Sequence, residues 1–285
     1  MIFFPPVQAS YAPSPITKIV FLGTGTPNPD PAHQGPSVAI VVNGQPYIVD
    51  AGPGMVRQAA AANLKMEDLT KAFITHLHSD HTMGLPDLIF TPAVTGRVRG
   101  IDLWGPRGLK PMVKHIQDAW TEDREIRFFG GEPSIKEAYK VEVHEIEPGL
   151  VYEDSNVKVR AFLVNHGSWK YAYGYRFETP DRVIVISGDT TYSPNLVENA
   201  KGCDVLIHEA YSAKGLAKRT ADWQAYHSRY HTSGYDVGKI ANGVHPKLLL
   251  LYHELPFHQP SGEILEEVKS VFSGDAKEAK DLDQY

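Results

Sequence analysis

Residues 76–81 read His76-Leu77-His78-Ser79-Asp80-His81. Three imidazoles and a carboxylate within one short run form a density that a metal centre readily uses, because ring nitrogens and carboxylate oxygens suit the same divalent cations. A group of surface histidines following a strand would not need them so close together. The run therefore reads as the core of a two-metal hydrolase site.

Immediately before it, Ala72 to Thr75 is a buried strand that delivers the cluster at its C-terminal end. Upstream, Lys18 to Leu22 is a β-rich run closing on Gly23-Thr24-Gly25, and Val38–Val42 and Tyr47–Val49 read as strands joined through Asn43-Gly44. A helix is expected after Pro53, running to about Asn63. Downstream, helices are expected near Pro86–Pro92 and Pro106–Trp120, with a strand at Ile101–Trp104 between them. Further strands are placed at Tyr139–Ile146, Val157–Val164, Tyr171–Phe177, Val183–Ser187, Val205–His208 and Leu248–Tyr252. Strands in runs, then alternating with helices, predict two sheets with helices outside.

Composition narrows the function. The chain has 285 residues, 42% of them hydrophobic, and neither a linker nor an internal repeat divides it, so residues 1–285 are expected to form one domain. A net charge of −6 argues against a protein whose main business is gripping long polyanions. The single cysteine, Cys203, excludes an intramolecular disulfide and a cysteine-rich zinc module, so ligands must come from the 13 histidines and the carboxylates. No run reaches the roughly 18 apolar residues of a membrane span. Met1-Ile2-Phe3-Phe4-Pro5-Pro6 lacks the basic region of a signal peptide, so the expected compartment is the cytoplasm, or the periplasm or exterior if a signal was removed.

Three more metal-competent residues sit at expected strand ends: His166, Asp189 and His253. Each alone is more often a surface or satisfied core residue. With the hexapeptide they supply five imidazoles and two carboxylates, enough for two cations sharing one aspartate. A lone Gly23-Thr24-Gly25 is a weak phosphate-loop signal and reads better as a tight turn beside the site.

On these residues the chain resembles the metallo-β-lactamase superfamily. It is most similar to the ribonuclease Z and arylsulfatase-like branch, through Phe21-Leu22-Gly23-Thr24-Gly25-Thr26, His208-Glu209-Ala210 and His231-Thr232-Ser233. The resemblance implies an α/β fold, a four-layer αβ/βα sandwich of two mixed sheets with helices outside. It implies that His76, His78 and His166 hold one metal, that Asp80, His81 and His253 hold the other, and that Asp189 bridges them. Zinc leads as the cofactor, with Mn or Fe accepting the same set. Water between two cations is acidified into a bridging hydroxide nucleophile, and Asp80 is placed to take its proton. For the leaving group, the resemblance nominates His231 as general acid, with Glu209 orienting it or raising its pKa. The rival readings are a histidine capping the helix after Thr232 or Ser233, and a Glu209 bonded only to backbone. His258 competes with His253 but follows Pro256 in a loop and reads as rim.

The expected function is hydrolysis of a small anionic ester, an aryl sulfate or a phosphodiester. The alternatives are tRNA 3′-processing endoribonuclease activity, hydrolysis of a lactone or β-lactam, and, most remotely, di-iron redox chemistry, which generally puts Glu where His78 stands. Ribonuclease Z enzymes that process tRNA commonly carry a long arm between the residues matching His166 and Asp189. Here Gly167 to Gly188 gives only 22 residues, read as a hairpin with Tyr171, Tyr173, Tyr175 and Phe177 on one face and a turn at Thr179-Pro180-Asp181. This disfavours tRNA as partner; a homodimer is compatible with the sequence, and no membrane partner is expected. Between Glu209 and His231, Lys214, Lys218, Arg219 and Arg229 interleave with Trp223, Tyr226 and Tyr230, an expected substrate wall to which Trp169 and Tyr171 would add.

Overall fold

The computed structural model describes residues 16–285; the signal-peptide reading of residues 1–6 lies outside them. Two sheets form, each antiparallel in one half and parallel in the other. The first, in spatial order, is β1 (Thr17–Gly23), β2 (Ser37–Val42), β3 (Gln45–Val49), β4 (Lys71–Phe73), β5 (Ile101–Gly105) and β6 (Val141–Glu145), antiparallel through β3 and parallel from there on. The second consists of β7 (Gly149–Glu153), β8 (Lys158–Leu163), β9 (Tyr173–Glu178), β10 (Val183–Ile186), β11 (Val205–Tyr211), β12 (Leu248–Leu255) and β13 (Ala276–Glu278), antiparallel through β10 and then parallel. The helices are α1 (Met55–Ala61), α2 (Ser79–Thr82), α3 (Leu85–Thr95), α4 (Leu109–Ala119), α5 (Thr121–Phe129), α6 (Pro194–Ala200), α7 (Ala213–Leu216), α8 (Ala221–Tyr230), α9 (Gly234–Val244) and α10 (Glu263–Lys269).

Strand β2 shows why the layers stack this way. All its residues are buried, and the period of two sends Val38, Ile40 and Val42 into the core between the sheets and Ala39 and Val41 toward α1 and α3. On β9 the predicted stripe is present: Tyr173, Tyr175 and Phe177 are fully buried against Phe73 and the facing strands. Helices α6, α9 and α10 cover the outer face of the second sheet. The Asn43-Gly44 turn has positive φ at both residues, the hairpin geometry such a pair favours.

Six elements went unpredicted: α2, α5, α6, α10, β7 and β13. Strand β11 extends past His208 to Tyr211, so Glu209 lies within a strand. His253, expected beyond its strand, sits inside β12 with φ of 47° at a register shift opposite Glu209 and Ala210. That kink turns its ring out of the regular pleat. The chain's end ties the sheets together: β13 pairs with β12, and Tyr285 exchanges backbone hydrogen bonds with Ile19 of β1. Along this tail Asp281 accepts from Thr24 N, Thr24 Oγ1 and Gln34 N. The Gly23-Thr24-Gly25 turn is thereby fixed, and the Thr24 carbonyl accepts from His253 N at 3.0 Å. Among the described residues no helix is long and apolar enough to cross a membrane.

Candidate metal centre

The site lies where parallel strands of both sheets end, the usual place for side chains that meet a ligand in open α/β sheets. All seven predicted ligands converge there. His76 Nε2 and His166 Nε2 lie 2.9 and 3.1 Å from His78 Nδ1, and 3.8 and 4.0 Å from Asp189 Oδ2. On the other side of Asp189, His81 Nε2 is 3.4 Å from Asp189 Oδ1 and 3.5 Å from Asp80 Oδ2. His253 Nε2 is 3.1 Å from the same Asp80 oxygen and 3.7 Å from Asp189 Oδ2. Within each of the groups His76/His78/His166/Asp189 and Asp80/His81/His253, one donor atom per residue lies within 4.8 Å of every other.

Outer hydrogen bonds aim the rings. His166 Nδ1 donates to the Tyr230 carbonyl at 2.7 Å, His76 Nδ1 meets Thr75 Oγ1 at 3.0 Å, and His81 Nδ1 donates to Asp50 Oδ2 at 2.8 Å. Each bond fixes Nδ1 as the protonated nitrogen and leaves Nε2 facing the centre. Asp50, buried at the end of β3, also accepts from Thr75 N and Thr75 Oγ1. It therefore holds the strand end and a ring of the cluster together. The sequence reading missed it. The only signal was a carboxylate directly after the apolar run Tyr47–Val49. Replacing it, Asp50→Asn, is expected to weaken metal binding about 10- to 100-fold, as loss of such a supporting acceptor does, measured by competition with a chelating dye.

Trp169 Nε1 donates to His78 Nε2 at 2.8 Å, which leaves His78 Nδ1 to face the ring nitrogens of His76 and His166. Burial opposes charge on His81, yet Asp189, Asp50 and Asp80 outweigh it and hold its pKa well above the usual value. Burial likewise opposes charge on Asp189, and His253, His81 and His76 overcome it, keeping this carboxylate ionised. His81 Nε2 and Asp189 Oδ1 are nonetheless buried without a hydrogen-bond partner. Orphaned buried donors of this kind, on imidazole and carboxylate, fit a divalent cation.

His231 and Glu209 come together beside this cluster. His231 Nδ1 lies 3.3 Å from Glu209 Oε2 and 3.9 Å from Asp189 Oδ2. His231 is the C-cap residue of α8 and Ser233 is the N-cap of α9, so the histidine does not cap the helix that follows it. Glu209 Oε1 accepts from Thr232 N at 2.9 Å and Thr190 N at 3.3 Å, fixing the neighbours of both His231 and Asp189. Both readings of Glu209, orienting group and backbone anchor, thus describe the same side chain. The expectation that it lifts the pKa of His231 is not met. Burial lowers His231 to about 4, while burial and the charge of Asp189 push Glu209 well above the carboxylate range. The two pKa values are displaced in opposite directions, each toward the neutral form.

A cavity of about 770 Å³ opens above the centre, walled by Arg219, Trp223, Tyr226 and His227 on one side and by Leu255–His258 on another. His258 therefore belongs to the rim, as expected. Of the rest of the predicted wall, Lys214 pairs with Glu263, Lys218 bonds Gln259, Tyr230 packs over Gly167, Arg229 lies outside the cavity, and Trp169 bonds His78 at the centre rather than lining the cavity. Tyr171 lies under Arg107 and Lys170, away from the cavity.

The fold recurs in solved structures. The metallo-β-lactamase fold protein YhfI from Bacillus subtilis superposes with a TM-score of 0.72 at 18% identity, covering 94% of this chain and 99% of its own. The short form of human tRNase Z gives a TM-score of 0.72 at 24% identity, covering 94% of this chain and 98% of its own. Ribonuclease Z of Mycobacterium sp. (strain KMS) is 31% identical over 249 residues, 86% of this chain and 87% of the relative. Residues 17–232 match the family model described as Anti-Pycsar protein Apyc1. The chain belongs to the Apyc1 family, in the ribonuclease Z branch of the metallo-β-lactamase superfamily. This Apyc1-family protein is a metal-dependent hydrolase of ester bonds. In it the αβ/βα sandwich expected from the sequence is present, with two mixed sheets and the helices outside.

Proposed function

We propose that the protein hydrolyses phosphodiester bonds with ribonuclease Z-like chemistry, and that its centre takes two cations. His76, His78 and His166 would hold one, Asp80, His81 and His253 the other, with Asp189 between; zinc leads, with Mn or Fe as substitutes. Bound there, the cations would supply an acidified water and neutralise phosphate charge. The chain's own residues do the rest. Asp80 accepts a proton beside the reacting phosphorus. His231 Nδ1 lies 3.3 Å from Glu209 Oε2, close enough for Glu209 to return to the ring the proton that His231 would pass to the leaving oxygen. The observation that carries this reading is the His231–Glu209 pair, 3.9 Å from Asp189. A sulfate monoester, the other ester expected from the sequence, has no such support from the relatives named above.

The substrate's size is the finer question. A relative named ribonuclease Z and a fold neighbour named tRNase Z weigh against setting tRNA aside. A second reading, action against Pycsar in the words of the family description, keeps the same chemistry. It is favoured by the hairpin of β9 and β10, where no tRNA-gripping arm is inserted, and by a cavity of about 770 Å³ above the centre. Turnover with Zn or Mn of bis-p-nitrophenyl phosphate, p-nitrophenyl sulfate, a lactone and a precursor tRNA tests both. Phosphodiester cleavage well ahead of sulfate and lactone is the expected outcome. Cleavage of the sulfate or lactone with the phosphodiester inert would sink the proposal, and precise 3′ cleavage of the tRNA would remove the second reading.

A further inference from the structure

Of the five imidazoles expected to bind metal, four have an outer partner that aims the ring: Thr75 for His76, Trp169 for His78, Asp50 for His81 and the Tyr230 carbonyl for His166. Among the described residues His253 has none. Its Nδ1 is buried without a hydrogen-bond partner, so the main chain alone directs this ring. That main chain takes φ of 47° at a register shift in β12, and it is held by the bond from His253 N to the Thr24 carbonyl at 3.0 Å. Thr24 is held in turn by the C-terminal tail. Asp281 Oδ1 accepts from Thr24 N at 2.9 Å and Thr24 Oγ1 at 2.7 Å, and Oδ2 accepts from Gln34 N at 2.7 Å and Gln58 Nε2 at 3.0 Å. One carboxylate thus closes the neck of the loop from Thr24 to Gln34 and ties it to α1. Its side chain is 8% exposed, and four donors fill its accepting capacity. The tail itself is attached without these bonds, through the pairing of β13 with β12 and of Tyr285 with Ile19. The four bonds therefore act on the loop.

We infer that Asp281 is a positioning residue for His253: it fixes the Thr24 carbonyl and, through that one backbone bond, the direction of the ring that faces Asp80 and Asp189. A carboxylate suits the task because both of its oxygens accept, whereas an amide in its place turns a donor toward Thr24 or Gln34. The loop leaves little slack for another arrangement. Gly25 N donates to the Gln34 carbonyl at 2.7 Å across the same neck, and a Cβ on Gly23 would stand 1.9 Å from the Gly35 carbonyl oxygen. Pro27 and Asn28, inside the closed loop, line the cavity beside Asp80, so the same carboxylate also sets that part of the rim.

This role rests on the two-cation reading of the centre, and two measurements keep them apart. Zinc is titrated into the full-length protein against a chelating dye. Wild type is expected to bind zinc in two steps, and His253→Ala identifies the step that belongs to Asp80, His81 and His253. In Asp281→Asn that step alone is expected to weaken by about 10-fold, the lower end of the loss when an outer partner of a ligand is removed, because Asp281 acts through the backbone. Tyr47→Phe is the comparison for plain destabilisation: it deletes the bond from Tyr47 Oη to Asp154 and should lower Tm with both steps unchanged. Where Asp281→Asn does not fold, Thr24→Val decides; it removes one of the four donors, keeps the backbone bond to His253 and should show a smaller loss confined to the same step. Equal losses in both steps, or both steps as in wild type, overturn the role of Asp281. If wild type does not bind zinc in two steps, the two-cation reading fails by itself, and hydrogen exchange of the His253 amide decides the role of Asp281. That amide should be protected in wild type and lose its protection in Asp281→Asn, while the Leu251 amide in the same strand keeps its own. Protection of His253 unchanged by the substitution overturns the inference.

Discussion

His231→Ala is expected to lower kcat by about 10²- to 10⁴-fold on phosphodiesters with poor leaving groups such as alkoxides, and by much less on nitrophenyl esters. The asymmetry follows from the role. An alkoxide must be protonated as it departs, whereas nitrophenolate leaves nearly unaided. The structure makes this role specific to the pair. His231 is buried with its pKa lowered to about 4, so at neutral pH it carries no charge of its own to give. Glu209 is pushed the other way, well above the carboxylate range, by burial and by Asp189, and its Oε2 lies 3.3 Å from His231 Nδ1. The two titrate as one unit, and the carboxyl proton restores what the ring gives up. Glu209→Gln preserves the acceptor for Thr232 N but cannot hand on a proton, so it should reproduce the leaving-group dependence of His231→Ala. Equal losses on both ester types would contradict an acid role. A fall in bound metal would instead make His231 a ligand, since with Asp189 and His253 it forms a third cluster of donors.

Much of this site was legible because its ligands are encoded locally. The hexapeptide fixes four donors on one short turn and helix, and His166 and Asp189 follow strands whose apolar runs are plain. What escaped depends on pairing between distant segments. Asp50 reaches His81 and Thr75 because β3 and β4 run parallel with Ile48 opposite Ala72 and Val49 opposite Phe73. Nothing in the pattern around Asp50 announces that register. His253 was assigned the right neighbourhood and the wrong backbone, because a single residue at φ of 47° inside an apolar strand leaves no periodic trace. The Glu209–His231 contact likewise needs β11 to meet the start of α9, where Tyr211 bridges to Ser233. Helix α5 was missed for a different reason: none of its residues is buried, so it offers little apolar stripe to read.

Removal of metal is expected to abolish turnover and also to loosen the fold. Around the centre the donors crowd together: His78 Nδ1 lies between the ring nitrogens of His76 and His166, and three carboxylates hold the pKa of His81 well above its usual value. These leave Asp189 Oδ1 and His81 Nε2 buried without a hydrogen-bond partner, which a bound cation would satisfy together with the rings. Zinc at about 1,000 times its Kd stabilises a folded protein by roughly 4 kcal/mol per site. For a chain of this size each kcal/mol moves Tm by about 2–4 °C, so the chelated and zinc-loaded forms should differ by on the order of 10 °C or more. Because uptake must displace the proton on His81, binding should release acid into weakly buffered solution and strengthen as pH rises. Calorimetry in buffers of different ionisation enthalpy reads that release, and thermal scans read the shift. Identical Tm values with and without zinc, or uptake without proton release, would mean that the gathered imidazoles are a packing arrangement stable in its own right, and the catalytic reading built on them would fall with it.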